Sequence, residues 1–265
     1  MTNYIWSISA GGTITGGGTG IDNTITITWN THGAKNVSVR YTDTNSCTGS
    51  TSTTFPVTVN PLPTVTITGP VSVCVNSEPR VYNTQSGMTN YSWNISTGGT
   101  ITAGGGTNDH TVTVLWHTSG TQTVSVNYTN PNGCEAATPR TNDITVLPEP
   151  TITLTGDLIA CEGSSGNVYT TEPGMTNYVW VVSTGGAIVS GGTVNDNTAT
   201  VKWNTAGPQT ISVNYTSADG CTAQLPVSAN ITVNPKSSPT IDGPTNICAG
   251  SRSEEHTSEL QSPNT

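Results

Sequence analysis

Six cysteines are the residues whose type and spacing most invite chemistry. Cys47, Cys134 and Cys221 stand 87 residues apart, and so do Cys74, Cys161 and Cys248. A thiol can hold a metal, attack a substrate or close a disulfide. No Cys-x-x-Cys pair occurs, which argues against zinc and dithiol redox chemistry. Histidine, which most hydrolytic and metal sites need, does not follow the period: His32, His110 and His117 fall on Ser119, Asn197 and Asn204 one repeat later. With no Gly-x-Ser-x-Gly elbow and no His-Glu-x-x-His pair, the expectation is a chain that is not an enzyme. Asp22, Asp109 and Asp196 do recur, each in a Gly-rich turn. A calcium site wants six or more oxygens, and one carboxylate per turn falls short of that. The expected role is a turn shaped by its own Asp side chain, with no cofactor and no metal.

These residues must be positioned by β-structure. The 265 residues include 52 Thr, 29 Gly and 16 Pro but one Phe, and only 9% are charged. Threonine with Val and Ile favours strands, while Gly, Pro and Asn favour turns, so an all-β chain is expected. Thr-x-Thr runs such as Thr24–Thr28 read as soluble outward faces of strands, not as an ice- or glycan-binding hydroxyl array. No stretch reaches eighteen apolar residues, so no membrane insertion is expected. A net charge of -9 lacks the basic footprint that nucleic-acid binding requires.

The 87-residue period extends beyond the cysteines. Trp6, Trp93 and Trp180 follow it, as do Trp29, Trp116 and Trp203, and residues 62–148 match 149–235 at 46 of 87 positions. A unit of this size can bury a small core of its own, unlike the shorter units of solenoids. Proline-rich junctions at Pro61–Pro63, Pro148–Pro150 and Pro235–Pro239 separate the units. The expected organisation is a first module over 1–61 that lacks its opening strands, complete modules over 62–148 and 149–235, and the start of a fourth over 236–251. In this register Met1 aligns with Met88 and Met175 and reads as an internal methionine of a longer frame. The run Arg252–Ser262, RSEEHTSELQS, reads as a translated sequencing-library adapter, so 252–265 is expected to be a disordered tail foreign to the fold.

Within a module, hydrophobic residues alternate with polar ones. Tyr91, Trp93 and Ile95 form one such face; Val112, Val114 and Trp116 a second; Val124, Val126 and Tyr128 a third. About seven short strands, with turns every 8 to 12 residues, predict an antiparallel two-sheet sandwich. Trp93, Trp116, Trp180 and Trp203 are its expected core aromatics.

With these motifs in view, the chain resembles the PKD-like, immunoglobulin-like repeats found in tandem in secreted or cell-surface proteins of Bacteroidota. The resemblance rests on Gly69-Pro70 ahead of Val73-Cys74, the run Met88–Trp93, Val114-Leu115-Trp116, the run Val124–Tyr128 and Asn132-Gly133-Cys134, and it covers residues 1–251. The Trp-Asp-Phe-Gly-Asp-Gly stretch of the better-known PKD domain is replaced here by Trp93-Asn94-Ile95-Ser96-Thr97-Gly98-Gly99. The resemblance implies an extracellular spacer or adhesion module in a long chain, often one exported by the type IX system.

An extracellular chain permits disulfides. Cys74, Cys134, Cys161 and Cys221 are the candidates, and three states stay open. One is a staple between successive modules, Cys74 to Cys221. Another is a pair of within-module bonds, Cys74 to Cys134 and Cys161 to Cys221, and the third is free thiols. Neighbouring modules of the same chain are the expected partners. A surface glycan or protein ligand is the alternative, and it would require exposed aromatics in a groove.

Overall fold

Alternation becomes strand wherever a polar residue separates two apolar ones and Gly, Pro or Asn stops the run. A computed structural model describes residues 1–250 and the short strand His256–Ser258. The described residues form strands and no helix, so no helix is long and apolar enough to cross a membrane. The expected all-β architecture of tandem sandwiches is what the chain adopts. Of the tail 252–265, His256–Ser258 pairs with Thr240–Asp242, and the rest of that expectation lies outside the described residues.

The first repeat holds β1 (Thr2–Ile8), β2 (Gly12–Gly17), β3 (Ile25–Trp29), β4 (Gly33–Thr42) and β5 (Thr53–Val59). The second holds seven strands: β6 (Ser72–Cys74), β7 (Arg80–Asn83), β8 (Thr89–Ile95), β9 (Gly99–Gly104), β10 (Thr111–Trp116), β11 (Gly120–Thr129) and β12 (Arg140–Leu147). The third repeats that set as β13 (Ile159–Cys161), β14 (Asn167–Thr170), β15 (Thr176–Val182), β16 (Gly186–Gly191), β17 (Thr198–Trp203), β18 (Gly207–Thr216) and β19 (Val227–Asn234). Then come β20 (Thr240–Asp242) and β21 (His256–Ser258).

The second repeat pairs a sheet of order β6-β12-β11-β8 with one of order β7-β10-β9. The third repeats this as β13-β19-β18-β15 with β14-β17-β16. The strand that opens a complete repeat departs from the antiparallel expectation: β13 runs parallel to β19, with Ile159 opposite Thr232 and Cys161 opposite Asn234. β6 meets β12 through the same two bonds one period earlier, Thr145 N to the Val71 carbonyl and Val75 N to the Leu147 carbonyl. The strand that opens the repeat thus meets the strand that closes it. Parallel neighbours need a long crossover, and the intervening sandwich supplies it.

The chain divides into two compact units, Met1–Val73 with Ser77–Val146, and Cys74–Asn76 with Leu147–Thr265. In the second unit one core gathers Tyr169, Trp203, Ile211, Val213 and Ile231 with Ala199 and Val201. In the first unit Tyr82, Val112, Val114, Trp116, Val124 and Val126 play the same part. Trp116 and Trp203 are 2% and 0% exposed, and Trp93 and Trp180 are each 8% exposed. Trp116 Nε1 donates to Tyr82 Oη at 3.0 Å, and Trp203 Nε1 to Tyr169 Oη at 3.2 Å, so each buried indole N–H has an acceptor. A Cβ on Gly99 or Gly186 would stand 2.6 or 2.5 Å from the nearest atom of the Trp116 or Trp203 ring. Those two glycines are therefore required by close approach.

The repeated Met-Thr-Asn-Tyr run is a corner. Asn3, Asn90 and Asn177 take positive φ of 51, 53 and 53°, a conformation Asn tolerates better than most residues. The Tyr hydroxyl closes the corner: Tyr91 Oη donates to the Gln85 carbonyl at 2.7 Å and accepts from Met88 N at 3.0 Å. Tyr178 repeats both bonds with Glu172 and Met175.

Candidate functional site

Cys74 ends the three-residue strand β6, and Cys221 ends the turn after β18, where Ser217 N donates to the Cys221 carbonyl at 2.8 Å. The two sulfurs are bonded, with Cα atoms 5.5 Å apart across a sequence separation of 147 residues. That Cα distance suits an unforced disulfide. Cys221 is 1% exposed. In sequence the bond joins the second repeat to the third, and Cys74–Asn76 groups with the second unit.

Polar contacts flank the bond. Asn76 Nδ2 donates to Glu149 Oε1 at 3.3 Å, Gln224 N donates to Glu149 Oε2 at 3.4 Å, and Gln224 Nε2 donates to the Asn76 carbonyl at 3.2 Å. Val75 N reaches the Leu147 carbonyl at 2.9 Å. The carboxylate of the Pro148-Glu149-Pro150 junction thereby ties the Cys74 segment to the Cys221 turn. None of the three clasp residues recurs: Gly163 follows Asn76 one period on, Leu62 and Lys236 flank Glu149, and Ala137 precedes Gln224. Periodicity could not point to them.

Because Cys74 and Cys221 hold each other, the within-module bonds are not formed. Cys134, half-buried, and Cys161, exposed, are thiols, as is exposed Cys47.

Trp93 and Trp180 do more than fill space. Trp93 Nε1 donates to the Asp109 carbonyl at 2.8 Å and Trp180 Nε1 to the Asp196 carbonyl at 2.9 Å, and Trp6 reaches Asp22 in the same way at 3.1 Å. The indoles hold the recurring Asp turns. The constant Trp-to-Asp spacing was the available signal for this link. In those turns Asp196 Oδ2 accepts from Thr193 N at 3.0 Å and Thr193 Oγ1 at 2.5 Å, and Asp22 does the same with Thr19. Asp109 Oδ2 accepts from Gly106 N at 2.9 Å. The Thr193 hydroxyl and then its N–H pull the Asp196 carboxyl below its ordinary value, and Thr19 lowers Asp22 likewise. Among the described residues no three His, Cys, Asp or Glu side chains gather as a metal set. His32, His110 and His117 are exposed and apart from the link. Millimolar calcium is expected to leave the melting temperature unchanged, since these carboxylates already have their donors. A calorimetric rise with calcium would reverse that assignment.

Glu172 is a further carboxylate held down by its donors. Glu172 Oε1 accepts from Thr153 N at 2.9 Å and from the Thr153 hydroxyl, and Oε2 accepts from Thr171 Oγ1 at 2.7 Å. Partial burial pushes its carboxyl up, but the Thr153, Thr171, backbone and Tyr215 donors outweigh that and hold it at about 2, against an ordinary 4.5. Burial, and then the bond to Glu172 and its charge, push Tyr215 up to about 12. A folded carboxyl held below its unfolded value stabilises fully above pH 4.5 and loses that contribution as pH falls toward about 2. Gln85 fills this position in the second repeat, where its amide Nε2 donates to Thr66 Oγ1 at 2.8 Å and its Oε1 accepts from Tyr128 Oη at 2.8 Å. Glu172→Gln is therefore expected to keep the network and reduce the acid loss of melting temperature over that window, the lowered Asp22 and Asp196 keeping their share. Equal pH slopes for the two proteins would contradict this.

Comparison with solved structures gives low scores. FdeC, an Escherichia coli adhesin, is 18% identical over 86% of this chain and 85% of its own, with a TM-score of 0.35. The fibronectin(III)-like modules of Clostridium thermocellum CbhA are 14% identical over 64% of this chain and 95% of theirs, with a TM-score of 0.30. Invasin, a bacterial integrin-binding protein, is 15% identical over 91% of this chain and 54% of its own, also at 0.30. No curated protein matches the chain. Residues 1–57, 60–142 and 147–231 each match the PKD-like domain, one match per repeat of a chain built from tandem Trp-cored sandwiches, and the chain belongs to the PKD-like domain family.

Proposed function

We propose that this chain is a non-enzymatic spacer, a stalk segment of a large secreted or surface-anchored bacterial protein, with the neighbouring repeats of its own chain as its principal partners. The observation that carries this reading is the Cys74–Cys221 bond between successive repeats. Tension applied to the chain ends passes from Cys74 through the two sulfurs to Cys221. Residues 75–220 therefore lie off the covalent path between the chain ends. That is a useful property in a stalk and has no bearing on catalysis. The bond also supports an extracellular location, because disulfides persist where the environment is oxidising. The burial of Trp93, Trp116, Trp180 and Trp203 withholds the aromatics that a glycan groove would present.

Single-molecule pulling on the whole chain tests the mechanical half of the reading. Without reductant the fully stretched chain is expected to fall short of the reduced chain by about 500 Å, at roughly 3.3–3.6 Å per shielded residue. Equal lengths would overturn the load path. Glycan-array and host-protein binding tests the other half: no retained ligand is expected, and saturable micromolar binding of a glycan would replace the spacer with an adhesion module.

A further inference from the structure

The outward face of β15 differs from its counterparts. Val179 and Val181 are 56% and 57% exposed there, whereas the second repeat has Ser92 and Asn94 at these positions, and the first has Ile5 and Ser7. The fold thus has no need of apolar residues at this place. Together with Tyr215, Thr222 and Pro226, the two valines line a shallow hollow of about 260 Å³ that no charged side chain borders.

β15 is also an edge, last in the order β13-β19-β18-β15. Val179 lies opposite Asn214, Val181 opposite Ser212, and Ser183 N donates to the Thr210 carbonyl at 2.9 Å. Odd-numbered residues therefore bond to β18, and Tyr178, Trp180 and Val182 turn their backbone groups toward the open side. Tyr178 N is taken by the Val194 carbonyl at 3.0 Å. Among the described residues no backbone bond reaches Trp180 or Val182 from that side. The strand TNYVWVV holds no lysine, no other charge and no proline, the devices by which edge strands resist association.

We propose that β15 pairs antiparallel with β15 of a second copy of this chain, with Val181 opposite Val181 at the two-fold axis. In that register Trp180 of each copy exchanges backbone hydrogen bonds with Val182 of the other. The facing Val181 residues form a non-hydrogen-bonded pair, the kind whose side chains approach most closely, at about 4.5 Å between Cα atoms. Val179 of each copy extends the strip on its own side, so four valines share one apolar surface. The arrangement is self-complementary, as a two-fold interface must be. A net charge of -9 per chain opposes association of two copies, and β15 itself adds no charge to that repulsion.

The experiment is sedimentation velocity on the whole chain, with the free thiols alkylated in the absence of reductant so that disulfide exchange adds no dimer. Mass is expected to rise from 27.4 kDa toward twice that value at protein concentrations on the order of 0.1 mM, the range of small interfaces. Val181→Lys sets two ammonium groups against each other at the axis and is expected to hold the chain monomeric, with circular dichroism unchanged because the site is exposed. Asn94→Lys, the same substitution on the second repeat, is expected to associate like the parent. A parent that stays monomeric overturns the proposal. So does a Val181→Lys variant that dimerises equally well, or an Asn94→Lys variant that loses association to the same degree.

Discussion

Trp203→Ala is expected to cost the third repeat about 4 kcal/mol, within the roughly 3–5 kcal/mol range for removing a buried Trp. Trp203 is 0% exposed and meets Tyr169 edge-on, with ring centroids 6.3 Å apart. Where the truncated site can collapse, the cost falls; here it cannot collapse far. The neighbour beneath the indole is Gly186, which has no side chain to move into the void. Tyr169 Oη would lose its indole donor, though it keeps the Asp157 carbonyl as its own acceptor at 3.1 Å. Buried hydroxyls that lose one of two partners add to the penalty. For a repeat of 87 residues each kcal/mol moves a melting transition by roughly 4–8 °C, so one calorimetric transition should fall by roughly 15–30 °C. Trp116 lies in the other unit and supports its own core, so a second transition should stay in place. Trp203→Phe retains most of the buried area and is expected to cost about half as much. A Trp203→Ala loss below about 1 kcal/mol would mean that the third repeat is not organised around this ring.

The aromatic residues of the two cores were legible because they repeat. Trp93, Trp116, Trp180 and Trp203 sit on alternating faces at a fixed 87-residue spacing, and a pattern of period two admits strands and excludes helices. What repeats less, or pairs across long separations, was harder to read. The parallel contact of β13 with β19 joins residues more than seventy positions apart, and alternation says which face a side chain takes, not which strand lies beside it. The network at Glu172 was hidden because its counterpart is Gln85: one is an acid and the other an amide, so an inventory of charges separates two side chains that do the same work. The clasp of Asn76, Glu149 and Gln224 occurs once and left no periodic trace. Cysteine pairing was open for a related reason. A short edge strand and a turn fix its geometry, and strand ends shift by several residues in any reading of sequence alone.

Loss of the Cys74–Cys221 bond should be the other large effect. Closing 147 residues removes conformational freedom from the unfolded chain, and the loop-entropy relation gives about 5 kcal/mol for a loop of this length. Measured effects usually fall lower, so the expected loss for the paired substitution Cys74→Ala with Cys221→Ala is roughly 2–5 kcal/mol. Replacing both sulfurs avoids leaving a reactive thiol in place of the 1% exposed Cys221. Alanine also avoids burying a hydroxyl there. The loss should appear in the unit that holds Cys221 and the Cys74–Asn76 segment. Denaturant unfolding with and without reductant separates the two contributions at this place. Reductant should lower the midpoint of the parent protein and leave that of the double alanine protein where it is. If the clasp through Glu149 held the segment unaided, Glu149→Gln would cost as much as removing the bond. The clasp consists of exposed hydrogen bonds of 3.2 to 3.4 Å, each worth about 1 kcal/mol or less, so the covalent link should dominate. A double alanine protein as stable as its parent would place the stabilisation in those bonds and deprive the proposed load path of its thermodynamic counterpart.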